Sequence, residues 1–207
     1  MTTEEKGRLI IEKVRQEKGK DPGEIFRHLA DQDFVSMHGP EHHILDGAAL
    51  LTAAYNAGFG MDLDRTLEGL LKEGLRMPGA MCGLWGVCGA VTSVGAALAL
   101  MEGTGPLSDD GSWGDHMEYT SMAMKEMGKT YGPRCCKRDA MIALRAAVPY
   151  IRQRFGIELD FAREPCGYFL RNPQCIRERC PFYPEEKRED MICREFAGRA
   201  VRKTEKP

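Results

Sequence analysis

The sequence has no Cys-x-x-Cys pair, no His-Glu-x-x-His motif and no long uninterrupted run of apolar side chains. Each absence excludes something. Without Cys-x-x-Cys, the thioredoxin type of exchange site and the paired knuckles of common zinc ribbons both drop out. Without His-Glu-x-x-His, the helix of a zinc hydrolase is missing. A membrane span needs about 20 apolar residues. The uncharged stretch between Arg76 and Glu102 holds Pro78, Thr92, Ser93 and five glycines (Gly79, Gly83, Gly86, Gly89, Gly95). A buried central helix over Val87 to Met101 is therefore expected, and no membrane association. Strong net charge is lacking too: the balance is −2 over 207 residues, with the basic side chains dispersed. That argues against a nucleic-acid partner held by a global field.

What remains is enough for a folded protein. Hydrophobic residues make up 43% and charged residues 29%, which supports a core. The charged, amphipathic start "MTTEEKGRLIIEKVRQEKGK" has no apolar stretch or cleavage site of a secretory signal, so a cytoplasmic location is expected. Cysteine is abundant, with eight residues. In a reducing compartment that number points to metal or redox chemistry more than to a disulfide framework.

Apolar side chains recur at helical spacing through most of the chain. The expected helices run from Thr3 to Lys18, after Asp21-Pro22, after Pro40 as far as Asn56, and after Asp62 or Asp64. The apolar central helix follows, then a methionine-rich helix through "HMEYTSMAMKEMG". A last one is expected to open at Pro133 and close at Gly156. Beyond Gly156, "IELDFAREPCGYFLRNPQCIRERCPFYP" loses helical periodicity and suits one or two short strands. "EEKREDMICREFAGRAVRK" suits a terminal helix. The expected fold is mainly α: a helical bundle over residues 1–156 and a small cysteine-rich module with a terminal helix over 157–207.

Three constellations carry chemistry. In "CGLWGVCGAV", Cys82 and Cys88 stand beside Gly83, Gly86 and Gly89, where bare backbone can approach a bound group. The same glycines would equally serve tight helix packing. In "GPRCCKRDA", Cys135 and Cys136 stand at a helix start among Arg134, Lys137 and Arg138. Helical N–H groups and cations there favour thiolate. Successive helical side chains diverge by about 100°, so one of the pair can enter a site while the other faces elsewhere. In "MHGPEHH", Glu41, His42 and His43 are candidates for proton transfer or metal binding, although solvated histidines at a helix start would look the same. A further set, Cys166, Cys175, Cys180 and Cys193, occupies the aperiodic tail, where a metal would stabilise a segment too small for its own core. Tetrathiolate spacing alone fits iron–sulfur or zinc.

Taken together, "HGPEHHILDGAALLTAAYNA", "CGLWGVCGAV", "GPRCCKRD" and "NPQCIRERCPF" resemble an uncharacterised prokaryotic domain of unknown function. That family is frequent in anaerobes and sometimes attached to SAM-dependent methyltransferases. More locally, "CGAVTSVGAALALMEG" is similar to the central block of redox-type proteins with a C…GCAxxG…C…C pattern. Cys88 matches the central cysteine there, and Cys135 or Cys136 matches a later one. The earlier cysteine of that pattern has no counterpart, and His42 or His43 stands near its place.

The expectation drawn from these residues is an iron–sulfur protein, of the 4Fe-4S type, with a redox or sulfur-handling role. Its core ligands would be Cys82, Cys88 and Cys135 or Cys136, with Glu41, His42, His43 and Cys136 as candidate catalytic groups. The C-terminal cysteines would hold a second centre. Two other readings fit: a zinc-stabilised, non-catalytic partner of a methyltransferase or redox protein, and a thiol–disulfide enzyme.

Overall fold

A computed structural model describes residues 1–130 and 132–187. They form two compact units, the first Met1–Ala162 and the second beginning at Arg163. The first unit contains α1 (Thr3–Val14), α2 (Pro22–Ala30), α3 (His42–Asn56), α4 (Leu63–Arg76), the single turn α5 (Met81–Leu84), α6 (Gly89–Glu102), α7 (Ser112–Gly128) and α8 (Cys136–Phe155). No membrane-crossing helix occurs among the described residues.

Local chemistry explains the helix starts. Thr2 and Glu5 form a reciprocal capping box on α1. The Asp21 side chain accepts the N–H groups of Gly23 and Glu24 ahead of Pro22. Asp62 accepts from Arg65 at the start of α4. Each such cap is worth about 1 kcal/mol. Gly156, at φ +67, ends α8, in the left-handed conformation that glycine tolerates.

Helix α3 is the axis of the bundle. Residues 41–54 are all buried, as expected of a helix apolar on every side. It packs against α1, α2, α4, α6 and α8, and α6 in turn meets α4, α7 and α8. Leu45, Leu50, Leu51, Leu67, Leu70 and Val94 have no exposed surface. Full burial of each leucine contributes about 1.5–3 kcal/mol. At the α3–α6 crossing, Gly47 brings the two backbones together: its N–H donates to Ser93 Oγ at 2.9 Å, and an added Cβ would lie 2.7 Å from the Ser93 carbonyl oxygen.

Some sequence expectations need correction. Helix α8 opens at Cys136, not at Pro133; Cys135 is extended, at φ −147 and ψ 102. The Asp139 carboxylate reaches back to the Cys135 N–H at 3.3 Å and sets the boundary there. Beyond Gly156 no strand forms among the described residues. The second unit is turns with one 3-10 turn, Arg177–Arg179, and a helical start at residues 185–187. Ile157–Ala162 belongs to the first unit, tied by Asp160 N–H to the Lys20 carbonyl and by Ala162 N–H to the Asp21 carboxylate. The expected terminal helix from Glu185 starts as helix at residues 185–187; the rest of it, with Cys193, lies outside the described residues.

Candidate functional site

A cavity of about 300 Å³ opens where the N-termini of α3, α6 and α8 meet. Its walls include Cys82, Cys88, Cys136, His38, His42, His43, Asp46 and Asp139. Three separate stretches of chain thus deliver thiols, imidazoles and carboxylates to one cavity. The adjacent cysteines part company as the helix start requires. Cys136 lines the cavity, whereas Cys135 caps α8 and does not.

His43 is 7% exposed. Its Nδ1 lies 3.3 Å from the Met77 carbonyl oxygen. That oxygen only accepts, so Nδ1 carries the proton and Nε2 keeps its lone pair. Burial lowers the His43 pKa from its ordinary value, against the opposing pull of Asp46, so the ring is neutral. Gly89, at the start of α6, makes room for it: a Cβ at Gly89 would strike the imidazole. A neutral imidazole whose far nitrogen is anchored to a carbonyl is the usual arrangement of a metal-ligating or proton-accepting histidine.

His42 is turned deeper. Its Nε2 is 3.1 Å from the Ser36 carbonyl oxygen and 3.4 Å from Lys137 Nζ, and its Nδ1 faces Asp46 at 3.7 Å. Asp46 has no exposed surface, and neither carboxylate oxygen has a hydrogen-bond partner. Burial raises its pKa, opposed by His42 and more weakly by Lys137. Lys137 is itself buried, with Nζ 3.2 Å from the Ala30 carbonyl oxygen. Loss of solvation lowers its pKa to about 8.

The thiols are not activated as the sequence suggests. Burial, with Asp139 nearby, pushes the Cys88 thiol well above its ordinary value. Burial likewise carries Cys136 up to about 12, against a hydrogen bond from the Gly39 backbone. The cations expected to help are committed elsewhere: Arg138 Nε donates to Asp139 at 2.9 Å, and Lys137 reaches Ala30 and His42. Cys88 Sγ stands 4.0 Å from Asp139.

Glu41 does not line the cavity. It is 2% exposed, accepts the Ser36 N–H at 2.8 Å and pairs with Lys6 Nζ at 2.9 Å. Gly89 is a wall residue beside His43, Gly83 lines a neighbouring cavity, and Gly86, at φ +70, is a turn residue that lines neither. Sequence reasoning passed over Asp46 and Asp139. A signal existed for Asp46, a lone acid in the apolar run "HHILDGAALL", four residues after His42. Among the described residues, no three His, Cys, Asp or Glu side chains stand close enough to share one metal ion.

A family model described as a family of unknown function, DUF5714, matches residues 10–183. The chain belongs to that family. No curated protein and no solved structure matches it. The span matched by DUF5714 contains the whole cavity wall and every cysteine except Cys193.

In the second unit, Cys166 Sγ accepts the Tyr168 N–H and Cys175 Sγ accepts the Arg177 N–H, each at 3.3 Å. Both bonds run from a sulfur to the amide two residues on. Cys180 is buried there, and its N–H donates to the Arg177 carbonyl. No disulfide joins the described cysteines.

Proposed function

We propose that this member of DUF5714 holds an iron–sulfur centre in the cavity between α3, α6 and α8, and uses it in electron transfer or sulfur handling. The observation that carries the reading is that Cys82, Cys88 and Cys136 line one cavity with the neutral, anchored His43. Thiolates and imidazole are the ligand set of iron–sulfur sites. The electrostatics favour a cation. Buried acids and thiols gather around the cavity, and the cost of burying charge raises the pKa of Asp46, Cys88, Cys136 and Asp139, the last against the pull of Arg138. A bound metal removes that cost and converts thiol to thiolate.

A single zinc ion requires ligands about 2.0–2.3 Å from a common centre. A cluster of several irons spans a wider box and suits walls that do not close on one point. Thiol–disulfide exchange is poorly served, because raised thiol pKa values oppose the thiolate that such chemistry needs. Cys166, Cys175 and Cys180 are candidates for a second centre, with Cys193, which lies outside the described residues, as the fourth cysteine of the sequence set. The support for that centre is the amide-to-sulfur bonding at Cys166 and Cys175, the kind of hydrogen bond that tunes thiolate-bound metals. The resemblance in sequence adds a methyltransferase or redox protein as the partner such centres would serve.

The test is oxygen-free expression and reconstitution with iron and sulfide, followed by metal analysis and visible and Mössbauer spectroscopy. A brown protein with matching iron and sulfide, bleached by reductant, is expected. A colourless, iron-free protein after oxygen-free reconstitution overturns the reading; tightly held zinc in its place points to the structural partner module.

A further inference from the structure

A second cavity, of about 520 Å³, adjoins the first and shares Ala80, Cys82, Cys88, Arg134 and Asp139 with it. Its remaining walls differ in character. Leu84, Met124 and Met127 supply apolar, polarizable surface, and Gly83, Gly128 and Gly132 leave bare backbone. The volume is that of a small-molecule site.

Charge decides what such a site accepts. Asp139 faces it, but Arg138 Nε holds that carboxylate at 2.9 Å, so the pair is close to neutral. Arg138 spends a further donor on the Pro133 carbonyl at 3.2 Å. Cys82 and Cys88 bring thiols and no fixed charge. Arg134 lines both cavities and has no acid partner among the described residues. A guanidinium presents a planar fork that matches a carboxylate in two parallel hydrogen bonds.

We infer that the second cavity binds a small organic acid with an apolar body, its carboxylate on Arg134 and its chain along Leu84, Met124 and Met127. The apolar walls disfavour a polyanion such as a free nucleotide, which would leave most of its charge unmatched. The bound acid lies against Cys82 and Cys88, and thus beside the proposed metal centre. Its role as a substrate rests on that reading; its binding does not.

The experiment measures binding of hexanoate, hexan-1-ol and hexylamine to the full chain by calorimetry and ligand-observed NMR, on both metal-free and reconstituted protein. Saturable binding of hexanoate, with the alcohol and amine at least tenfold weaker, is expected. Arg134→Gln should weaken hexanoate about tenfold and leave hexan-1-ol unchanged, since Arg134 is exposed and its charge is partly screened. Gly128→Leu should abolish binding of both, because a side chain there meets open space and fills the cavity without disturbing the bundle. Hexanoate binding that is absent, equal to that of the alcohol, or indifferent to either substitution overturns the inference. If hexanoate binds as expected but the protein never takes up metal, the acid site stands and the iron–sulfur reading falls.

Discussion

Gly89, at the start of α6, stands where an added Cβ would strike the imidazole of His43. The glycine is a packing requirement of the cavity itself. Gly89→Ala forces the ring or the helix start to move, at about 1–3 kcal/mol. A lower melting temperature is expected, together with reduced iron uptake because His43 no longer faces the cavity. Pairing it with His43→Ala should restore the stability but not the iron. Thermal unfolding and metal analysis of the two variants check this; a single variant as stable as the parent removes the steric argument.

Glu41 belongs to the scaffold. Burial pushes its carboxyl up, but Lys6 and the Ser36 amide outweigh that and hold its pKa at about 2. The folded state therefore binds the proton less tightly than the unfolded chain, whose value is 4.5. The stabilisation is present above pH 4.5 and is lost as pH falls toward 2. At neutral pH it amounts to about 3 kcal/mol. Glu41→Gln should lower stability by that order at pH 7, with the gap closing in acid and iron content per folded molecule unchanged. Urea unfolding as a function of pH reads the effect. A loss of metal without a loss of stability would return Glu41 to the site.

Lys137 has the opposite sign. Its buried ammonium has a pKa lowered from 10.5 to about 8. Between those values the unfolded chain carries more protons than the folded one, so stability climbs with pH across that window. Below pH 8 the folded protein bears the cost of a buried charge. Lys137→Met should therefore stabilise the protein by about 1–3 kcal/mol at pH 7, with the advantage fading above pH 10. Equal or lower stability at pH 7 would mean that the bonds to Ala30 and His42 outweigh desolvation.

Much of the frame was legible in the sequence because it depends on neighbours in the chain. Asp21 with Pro22 marks a helix start that the structure reproduces, and of the pair Asp62 or Asp64 the structure selects Asp62, since a cap is a local contact. The buried helix α6 follows from an apolar run too rich in glycine for a membrane. The candidate site was legible only in part. Cys82, Cys88, Cys136, His42 and His43 all line one cavity, but sequence does not separate Cys135 from Cys136. That choice depends on where α8 starts, and Asp139 sets it through a contact along the helix. Glu41 was grouped with the histidines by adjacency, whereas its partner Lys6 comes from α1. Sequence overstates thiol activation because Lys137 and Arg138 have partners elsewhere in the bundle. Burial is a property of the assembled bundle, and no local pattern reports it.

The raised thiol pKa values give a prediction independent of metal analysis. In metal-free protein, Cys88 and Cys136 should resist alkylation by iodoacetamide at pH 8, because the thiol and not the thiolate is present. Cys82, on the same cavity but only partly buried, should react first. Reactivity of Cys136 should rise only as pH approaches about 12 or as the protein unfolds. Peptide mapping after timed alkylation resolves the order. Fast labelling of Cys88 in the folded protein at pH 8 would show that its sulfur is ionised, and the thiol-exchange reading would regain ground.

The second unit supplies the last prediction. It is short of apolar residues, lacks strands among the described residues, and is built of turns whose sulfurs accept neighbouring amides at 3.3 Å. Such amides are aimed at sulfur whether it is thiol or thiolate, but they stabilise the charged form more, so the arrangement suits a bound metal. A unit of this size needs that stabilisation. Cys175→Ser should therefore remove one class of bound metal and expose the segment after Ala162 to limited proteolysis. The bundle over residues 1–162 should remain folded, with its own metal intact. Cys136→Ser should do the reverse, losing the bundle's metal while the tail stays protected. Metal counts and protease mapping on the two variants separate the centres. If either substitution empties both, the assignment of a separate centre to each unit falls. If neither changes the metal content, the amide-to-sulfur bonds are ordinary turn geometry and the tail is stabilised by the packing of Phe169 against Tyr183.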